Sequence, residues 1–356
     1  MPEIGSRAAA ERLLEGGGVV VDGEQSPKSR RLQGGEDVEF EPPELQPELV
    51  PEEVELRIAY EDEHLLVVDK PSGVVVHPSP VERLALSTRQ RRDSAAVDFA
   101  TMMALEPHGT DVWVGAGPRY PWGGLYGGQI VAQALRAGTF TVEDRYRVHS
   151  LHAYFIRSGD HTEPIRFEVD RVRNGRSFCT RRITARQSVG VILNMTASYQ
   201  VDEPAPKVQT AVMPELPPAE ELPEESWSEI FDRRVPPRRP GLVAGWMRVA
   251  KAIGDDPALQ ACALAYLSDD LPTEAVVTLH PDWNRNVPPE GQFFSASLDH
   301  AIWFHRPIDV DDWHVQTYLC DGIMSSRGVS LGHVFTGDGT HVATVSQEVL
   351  LRPKRR

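Results

Sequence analysis

Between Ser295 and Pro307 the chain reads Ser-Ala-Ser-Leu-Asp-His-Ala-Ile-Trp-Phe-His-Arg-Pro, packing hydroxyls, a carboxylate and two imidazoles into one short stretch. Small or polar residues alternate there with bulky apolar ones, the period of two that predicts a half-buried strand. On such a strand Ser297 points the same way as Asp299 and Ala301. A hydroxyl held on a sheet can orient a water or a reacting oxygen. A second candidate is Gly127-Gly128-Gln129, which opens a helical pattern. Unpaired N–H groups and the helix dipole at such a start suit an oxyanion, although a pair of packing glycines has the same sequence.

Other arrangements resemble chemistry without supporting it. Gly328-Val329-Ser330-Leu331-Gly332 fits the G-x-S-x-G pattern of serine hydrolases. It is flanked by strand patterns, and Asp338 and His341 follow too closely for the strands and helices which that fold interposes. His149 with His152, and His300 with His305, are odd spacings on strands, so each pair faces opposite ways and no metal site is expected. His149 could still line a pocket. Gly123-Gly124 with Gly127-Gly128 lacks the lysine and serine of a phosphate loop. Cys179, Cys262 and Cys320 are scattered and odd in number. They fit a reducing cytoplasm and the core, not a disulfide framework or a zinc site.

The elements that position these residues must come from 356 residues, enough for two or more domains. Apolar content of 40% and charged content of 25% are ordinary for a globular protein, and the net charge is −15. A nucleic-acid surface would have to be a local patch against that field. No apolar run approaches the ~18 residues of a membrane span, and no signal-peptide core stands at the N-terminus, so a cytoplasmic protein without a membrane partner is expected.

Residues 1–43 form a small module. Ser6 can cap a helix through Leu14, Gly16–Gly18 ends it, and Val19-Val20-Val21-Asp22-Gly23 is a short strand into a turn. This stretch, with Gly34-Gly35-Glu36-Asp37, resembles the RNA-binding module first known from a ribosomal small-subunit protein. An acidic, proline-rich linker (Glu41 to Glu55) leads to Tyr60-Glu61-Asp62-Glu63-His64-Leu65-Leu66-Val67-Val68-Asp69-Lys70-Pro71-Ser72-Gly73, similar to the opening of the large RNA pseudouridine synthase family. That family's catalytic aspartate motif has no counterpart here, and the likeness stops at Pro80. Residues 1–80 carry 7 Lys+Arg against 18 Asp+Glu, a balance of −11 that grips phosphates poorly. The segment 44–94 is therefore read as linker plus a truncated fragment, and RNA binding by residues 5–80 as the alternative function.

From Ala95 the composition becomes globular. A helix pattern from Gly127 to Arg136 precedes strand patterns at His149 to Arg157, Ile165 to Arg173, Ser177 to Arg186 and Val191 to Gln200. After a Pro/Glu-rich connector (201–241) the order returns: a helix at Pro257 to Tyr266, then His300-Ala301-Ile302-Trp303-Phe304-His305-Arg306 echoing His152-Ala153-Tyr154-Phe155-Ile156-Arg157. Ala343-Thr344-Val345-Ser346-Gln347 echoes Met195-Thr196-Ala197-Ser198-Tyr199, which pairs Gln347 with Tyr199 and Ser297 with His149. Two diverged copies of one α+β unit, 95–200 and 242–356, are the simplest account.

With these repeats in view, Leu125-Tyr126-Gly127-Gly128-Gln129, Val148-His149-Ser150-Leu151-His152-Ala153-Tyr154-Phe155, Ser297 to Pro307 and Val345-Ser346-Gln347-Glu348 resemble the type II acyl-CoA thioesterase family over about residues 95–352. The resemblance implies a double hotdog, two antiparallel sheets each wrapped around a central helix, with a small N-terminal α/β appendage. It implies hydrolysis of acyl-CoA to free fatty acid and coenzyme A, with no metal or organic cofactor. By position the family's catalytic residues fall on Asp269, Ser297 and Gln347, Ser297 standing where threonine is frequent. Asp270 adjoins Asp269 and shares its residue type. The helix start at Gly127, Gly128 and Gln129 is then expected to border the acyl pocket, with His149 on the first half. Arg157, Arg306 and Arg327 are candidates for coenzyme A's phosphates, although exposed salt bridges explain each of them equally. A homo-oligomer is the default expectation, and a non-catalytic acyl-CoA-binding protein is a further alternative.

Overall fold

The computed structural model describes residues 19–21, 23–25, 35, 37–40, 57–61, 66–69, 98–287 and 289–354. The chain divides into two compact units, Met1–Asp93 and Ser94–Arg356. In the first, β1 (Val19–Val21) pairs antiparallel with β2 (Glu24–Gln25) and with β3 (Val38–Phe40). Gly23, at φ 80°, takes the left-handed backbone that this tight reversal requires. β4 (Arg57–Glu61) pairs antiparallel with β5 (Leu66–Asp69). The helix expected after Ser6 and the linkers at Glu41 to Glu55 and Val81 to Asp93 lie outside the described residues.

The second unit opens with α1 (Phe99–Met103), whose first turn is capped by the Asp98 carboxylate accepting from Thr101 N. β6 (Glu106–Pro107) and β7 (Val112–Gly115) lead to α2 (Gly127–Thr139). Four long strands follow: β8 (Tyr146–Phe155), β9 (Ile165–Asn174), β10 (Phe178–Gln187) and β11 (Gly190–Val201). All four lie where the alternating pattern puts them, because each shows one face to the core and one to water. The stretch expected as a connector contains an edge strand, β12 (Phe231–Arg234), before β13 (Leu242–Val249).

Two helices then stand where the sequence predicts one: α3 (Pro257–Leu267) and α4 (Leu271–Leu279). Pro272 explains the break. It has no N–H to give to the Ser268 carbonyl one turn back, and that carbonyl accepts instead from Tyr318 Oη at 3.1 Å. α3 packs on α2, whereas α4 lies against the sheet of the second repeat. A short α5 (Pro289–Gln292) precedes β14 (Phe293–Ser297) and β15 (Asp299–Phe304), and β16 (His314–Met324), β17 (Arg327–Thr336) and β18 (His341–Pro353) complete the chain.

The strands of this unit form one antiparallel sheet in the order β12-β13-β16-β17-β18-β15-β8-β11-β10-β9-β7-β6, with β14 also on β18. The order runs outward alike on both sides of a central seam, where β15 pairs with β8 at Ala301↔His152 and Ile302↔Leu151. Each half-sheet covers a helix with its inner face, the expected double-hotdog layout. α2 is buried almost all round, from Gly128 to Gly138, as its run of small and apolar residues requires.

The Ser295–Pro307 stretch is not one regular strand. Ser297 pairs with Val349 and Ala301 with Ser346, four residues against three, so one extra residue bulges between β14 and β15. The Asp299 carboxylate fills the irregularity by accepting from Glu348 N at 2.7 Å. The bulge shifts the alternation by one. His300, not Ala301, therefore shares the inner face with Ser297. The same registers correct the alignment of the repeats. Gln347 matches Ala197, Ser297 matches Val148, and His300 matches Leu151.

Candidate active site

Asp269 sits in the break between α3 and α4, 5% exposed, with its backbone fixed by the helix ends on either side. Its carboxylate is held from two directions. Gly128 N donates to Oδ2 at 2.8 Å, and Ser297 Oγ donates to Oδ1 at 3.0 Å. Gln347 Nε2 in turn donates to Ser297 Oγ at 2.8 Å. The three residues carried over by position therefore form one hydrogen-bonded chain, drawn from a helix break, the bulged strand and the strand beside it.

Glycine is needed at the start of α2 for steric reasons. A Cβ on Gly127 would stand 2.6 Å from Asp269 Oδ2, and one on Gly128 would overlap the Tyr266 carbonyl. The helix start expected to face an oxyanion thus already spends its Gly128 N–H on the carboxylate. Gln129 turns away from that carboxylate: its Oε1 accepts from Tyr120 Oη at 2.8 Å and its Nε2 donates to Gln133 at 3.2 Å.

The two adjacent acids are distinguished by their partners. Asp270 accepts from Trp227 Nε1 at 2.6 Å and from Arg233 Nη1 at 2.7 Å, within a network that includes Glu274, Arg238 and Glu225. Burial alone would lower the Arg233 guanidinium, but the Asp270 and Glu274 carboxylates more than offset it and hold the cation charged. Asp270 is thus a paired structural acid. Asp269 has only neutral donors. Burial raises its carboxyl to about 7; the Ser297 and Gly128 hydrogen bonds oppose that rise, and the negative charge of Asp270 adds to it.

Sequence reasoning missed His300, which extends the chain. It is fully buried, with Nδ1 2.6 Å from Gln347 Oε1 and Nε2 2.9 Å from Ser268 Oγ. Burial lowers its imidazole to about 4, against the hydrogen bond to Gln347. The signal that would have found it is the bulge, which a strictly alternating strand hides. Around the carboxylate stands an aromatic wall that includes Tyr126, Tyr266 and Trp227, with Tyr126 Oη donating to the Tyr266 carbonyl at 2.9 Å. Such surroundings keep the dielectric low and make each polar contact at the site stronger.

The remaining candidates lie elsewhere. His149 bonds Ser198 Oγ at 2.8 Å and rests edge-on against Phe178. Arg306 is tied to the carbonyls of His341 and Val208, Arg157 to that of Val191, and Arg327 to the Glu348 carboxylate. Among the described residues no group of three or more His, Cys, Asp or Glu side chains could hold a metal. The three cysteines are free and buried, and no helix among the described residues is long and apolar enough to cross a membrane.

Known proteins resemble both units. Over 298 residues the chain is 32% identical to human acyl-coenzyme A thioesterase 8, covering 74% of this chain and 91% of that protein. The structure of an acyl-CoA thioesterase II from Mycobacterium marinum superposes with a TM-score of 0.63 at 35% identity, over 72% of this chain and 97% of that one. A hot-dog-fold protein of unknown function from Alicyclobacillus acidocaldarius shares the fold, at a TM-score of 0.61 and 22% identity over 72% of this chain and 98% of that one. Separately, 77 residues are 47% identical to an RNA pseudouridine synthase of Aquifex aeolicus, 21% of this chain and 24% of that protein, so the chain spans about a quarter of that relative. The descriptions "Acyl-CoA thioesterase N-terminal domain" and "Acyl-CoA thioesterase C-terminal domain" match residues 117–200 and 208–351 respectively. By its repeats, its fold and these matches, the chain belongs to the type II acyl-CoA thioesterase family.

Proposed function

We propose that the protein hydrolyses acyl-CoA thioesters to free fatty acid and coenzyme A, with Asp269 as general base and Ser297 and Gln347 orienting the attacking water. The observation that carries this reading is the buried Asp269 carboxylate, bonded to Ser297 and through it to Gln347, in a chain of this family. A carboxyl raised to about 7 is a base matched to neutral pH. It takes a proton from the water while the hydroxide equivalent attacks the thioester carbon. The carbonyl oxygen gains charge as the tetrahedral adduct forms, and this reading assigns its stabilisation to N–H groups of the first turn of α2 other than that of Gly128. Collapse of the adduct breaks the C–S bond, and the departing thiolate recovers the proton.

Thiol release from a series of acyl-CoAs, from acetyl to palmitoyl, tests the reading on the purified protein. Turnover at some chain length supports it, and binding without turnover at every length identifies an acyl-CoA-binding protein instead. A cytoplasmic setting is supported by the three free cysteines, and a homo-oligomer is checked by light scattering. The N-terminal likeness favours a second reading, RNA binding by residues 5–80. A filter-binding titration with structured RNA decides it, since binding with no salt-dependent component rules out phosphate recognition.

A further inference from the structure

The hydrogen bonds behind the Asp269 carboxylate have only one consistent direction. Ser297 has a single hydroxyl proton, and the carboxylate takes it. Gln347 must then present its NH₂ group to Ser297 Oγ, which leaves Oε1 turned toward His300. An amide flipped the other way would set two acceptors, Gln347 Oε1 and the committed Ser297 Oγ, against each other at 2.8 Å. His300 must therefore offer Nδ1–H, leaving Nε2 to accept from Ser268 Oγ at 2.9 Å, a shorter contact than the 3.2 Å from the same hydroxyl to the competing Ala265 carbonyl. Four consecutive donors point at one carboxylate: Ser268, His300, Gln347 and Ser297.

The first repeat supports a dedicated role for this pair. Its sheet is built to the same register, yet it carries Leu151 where His300 stands and Ala197 where Gln347 stands. Both positions are apolar together in the half that buries no carboxylate, so the fold itself does not require a histidine here. Resting on the thioesterase reading above, we propose that His300, locked as its neutral Nδ1–H tautomer between Ser268 and Gln347, is the positioning residue that fixes the Gln347 carboxamide toward Ser297 and the attacking water. It touches neither the water nor the substrate. Burial at 0% exposure and the drop of its imidazole to about 4 keep that tautomer uncharged through the neutral range. The groups bonded to the ring are Gln347 and Ser268, and the hydrogen bonds lead from it through Gln347 and Ser297 to the Asp269 carboxylate.

The test combines a tautomer measurement with a mutant cycle on the full-length protein. Long-range ¹H–¹⁵N spectra of histidine-labelled protein, with His300 assigned by its absence from His300→Leu, are expected to report the Nδ1–H tautomer at pH 7. An Nε2–H tautomer or an imidazolium overturns the proposal, and this readout does not depend on turnover. In thiol-release assays His300→Leu, the first repeat's own residue, is expected to lower kcat by roughly 30-fold with KM little changed, the scale of losing a group that orients a catalytic residue. His300→Asn keeps a donor near Nδ1 and is expected to recover most of that loss. The double variant His300→Leu/Gln347→Ala is expected to be no slower than Gln347→Ala alone. Multiplying losses in the double variant, or equal losses in Leu and Asn, would mean that His300 serves packing only. If the parent protein turns over no acyl-CoA, the thioesterase reading fails while the spectra still decide the tautomer.

Discussion

The two repeats share a sheet topology and differ in what they bury. On the inner face of the first stand Leu151, Ile165, Phe167, Val169 and Ala197; the register-matched positions of the second hold His300, His314, Gln316, Tyr318 and Gln347. An apolar side chain needs only neighbours, but a buried polar one costs free energy unless each donor and acceptor finds a partner. The five polar residues at these positions meet that demand. Gln316 accepts from Tyr318 Oη at 2.8 Å and lies 3.2 Å from His314 Nε2 through its own amide, while Tyr318 also reaches the Ser268 carbonyl freed by Pro272. At these matched sheet positions one half supplies apolar packing and the other holds polar groups, although the first half also buries Gln129, Gln133 and Arg181 elsewhere. The proposed site lies where these inner-face positions are polar and partnered.

That contrast can be broken most directly at the carboxylate. Asp269→Asn is expected to lower kcat by ~10³-fold, within the range for losing a positioned base, with thermal stability held or raised because a neutral amide is easier to bury. Parent-like turnover in thiol-release assays would mean that the polar half is not where the chemistry happens. Next in size is an exchange between the halves. Gln347→Ala is expected to cost ~10²-fold in kcat, as for the loss of one oriented donor. Ala197→Gln should leave turnover intact and cost about 2–4 kcal/mol of stability, because its carboxamide would be buried without partners. Denaturant melts decide the second case, and an undiminished midpoint would show that the first repeat can accommodate polarity after all.

Acidity sharpens the comparison further. Asp269 must be ionised to act, so kcat/KM is expected to rise about tenfold per pH unit below about 7 and to level off above it. A plateau already reached at pH 5.5 would remove Asp269 as the base. For stability the two buried groups of this half work in opposite senses. The Asp269 carboxyl lies above its unfolded value of ~3.9, so its contribution falls as pH rises from about 4 to about 7. The His300 imidazole lies below its unfolded value of ~6.5, so its contribution grows as pH rises from about 4 to about 6.5. Asp269→Asn removes the first and leaves the second, and its melting temperature is expected to climb with pH across that window more steeply than the parent's. Smallest of all is Ser297→Thr. The hydroxyl remains and its added methyl restricts the rotamer, so rates within ~3-fold of the parent are expected, and a tenfold loss would mean the site has no room for the methyl.

Much of this was legible in the chain. The repeat and the four alternating strands of the first copy follow from patterns that local physics imposes, whereas Asp269, Ser297 and Gln347 were reached through the family resemblance. What escaped was non-local or irregular. Aligning His152 with His300 by residue type assumed an unbroken alternation, but the bulge before Asp299 adds one residue, reverses the facing and so hid His300. The helix at Leu271–Leu279 went unseen because the Ala/Leu run before it already satisfied the helical pattern, although Pro272 marked the break. The choice between Asp269 and Asp270 depended on Arg233 and Trp227, more than thirty residues away in a stretch whose prolines read as linker.

The 2.8 Å bond from Gly128 N to Asp269 Oδ2 runs from one repeat to the other. Duplication ordinarily relaxes selection on one copy, leaving it to drift while its twin keeps the trade. Here the copy that buries no acid provides the amide that holds its twin's, at a place where any side chain would strike the Tyr266 carbonyl. The two copies are therefore joined at this carboxylate, one supplying the acid and the other the amide that holds it.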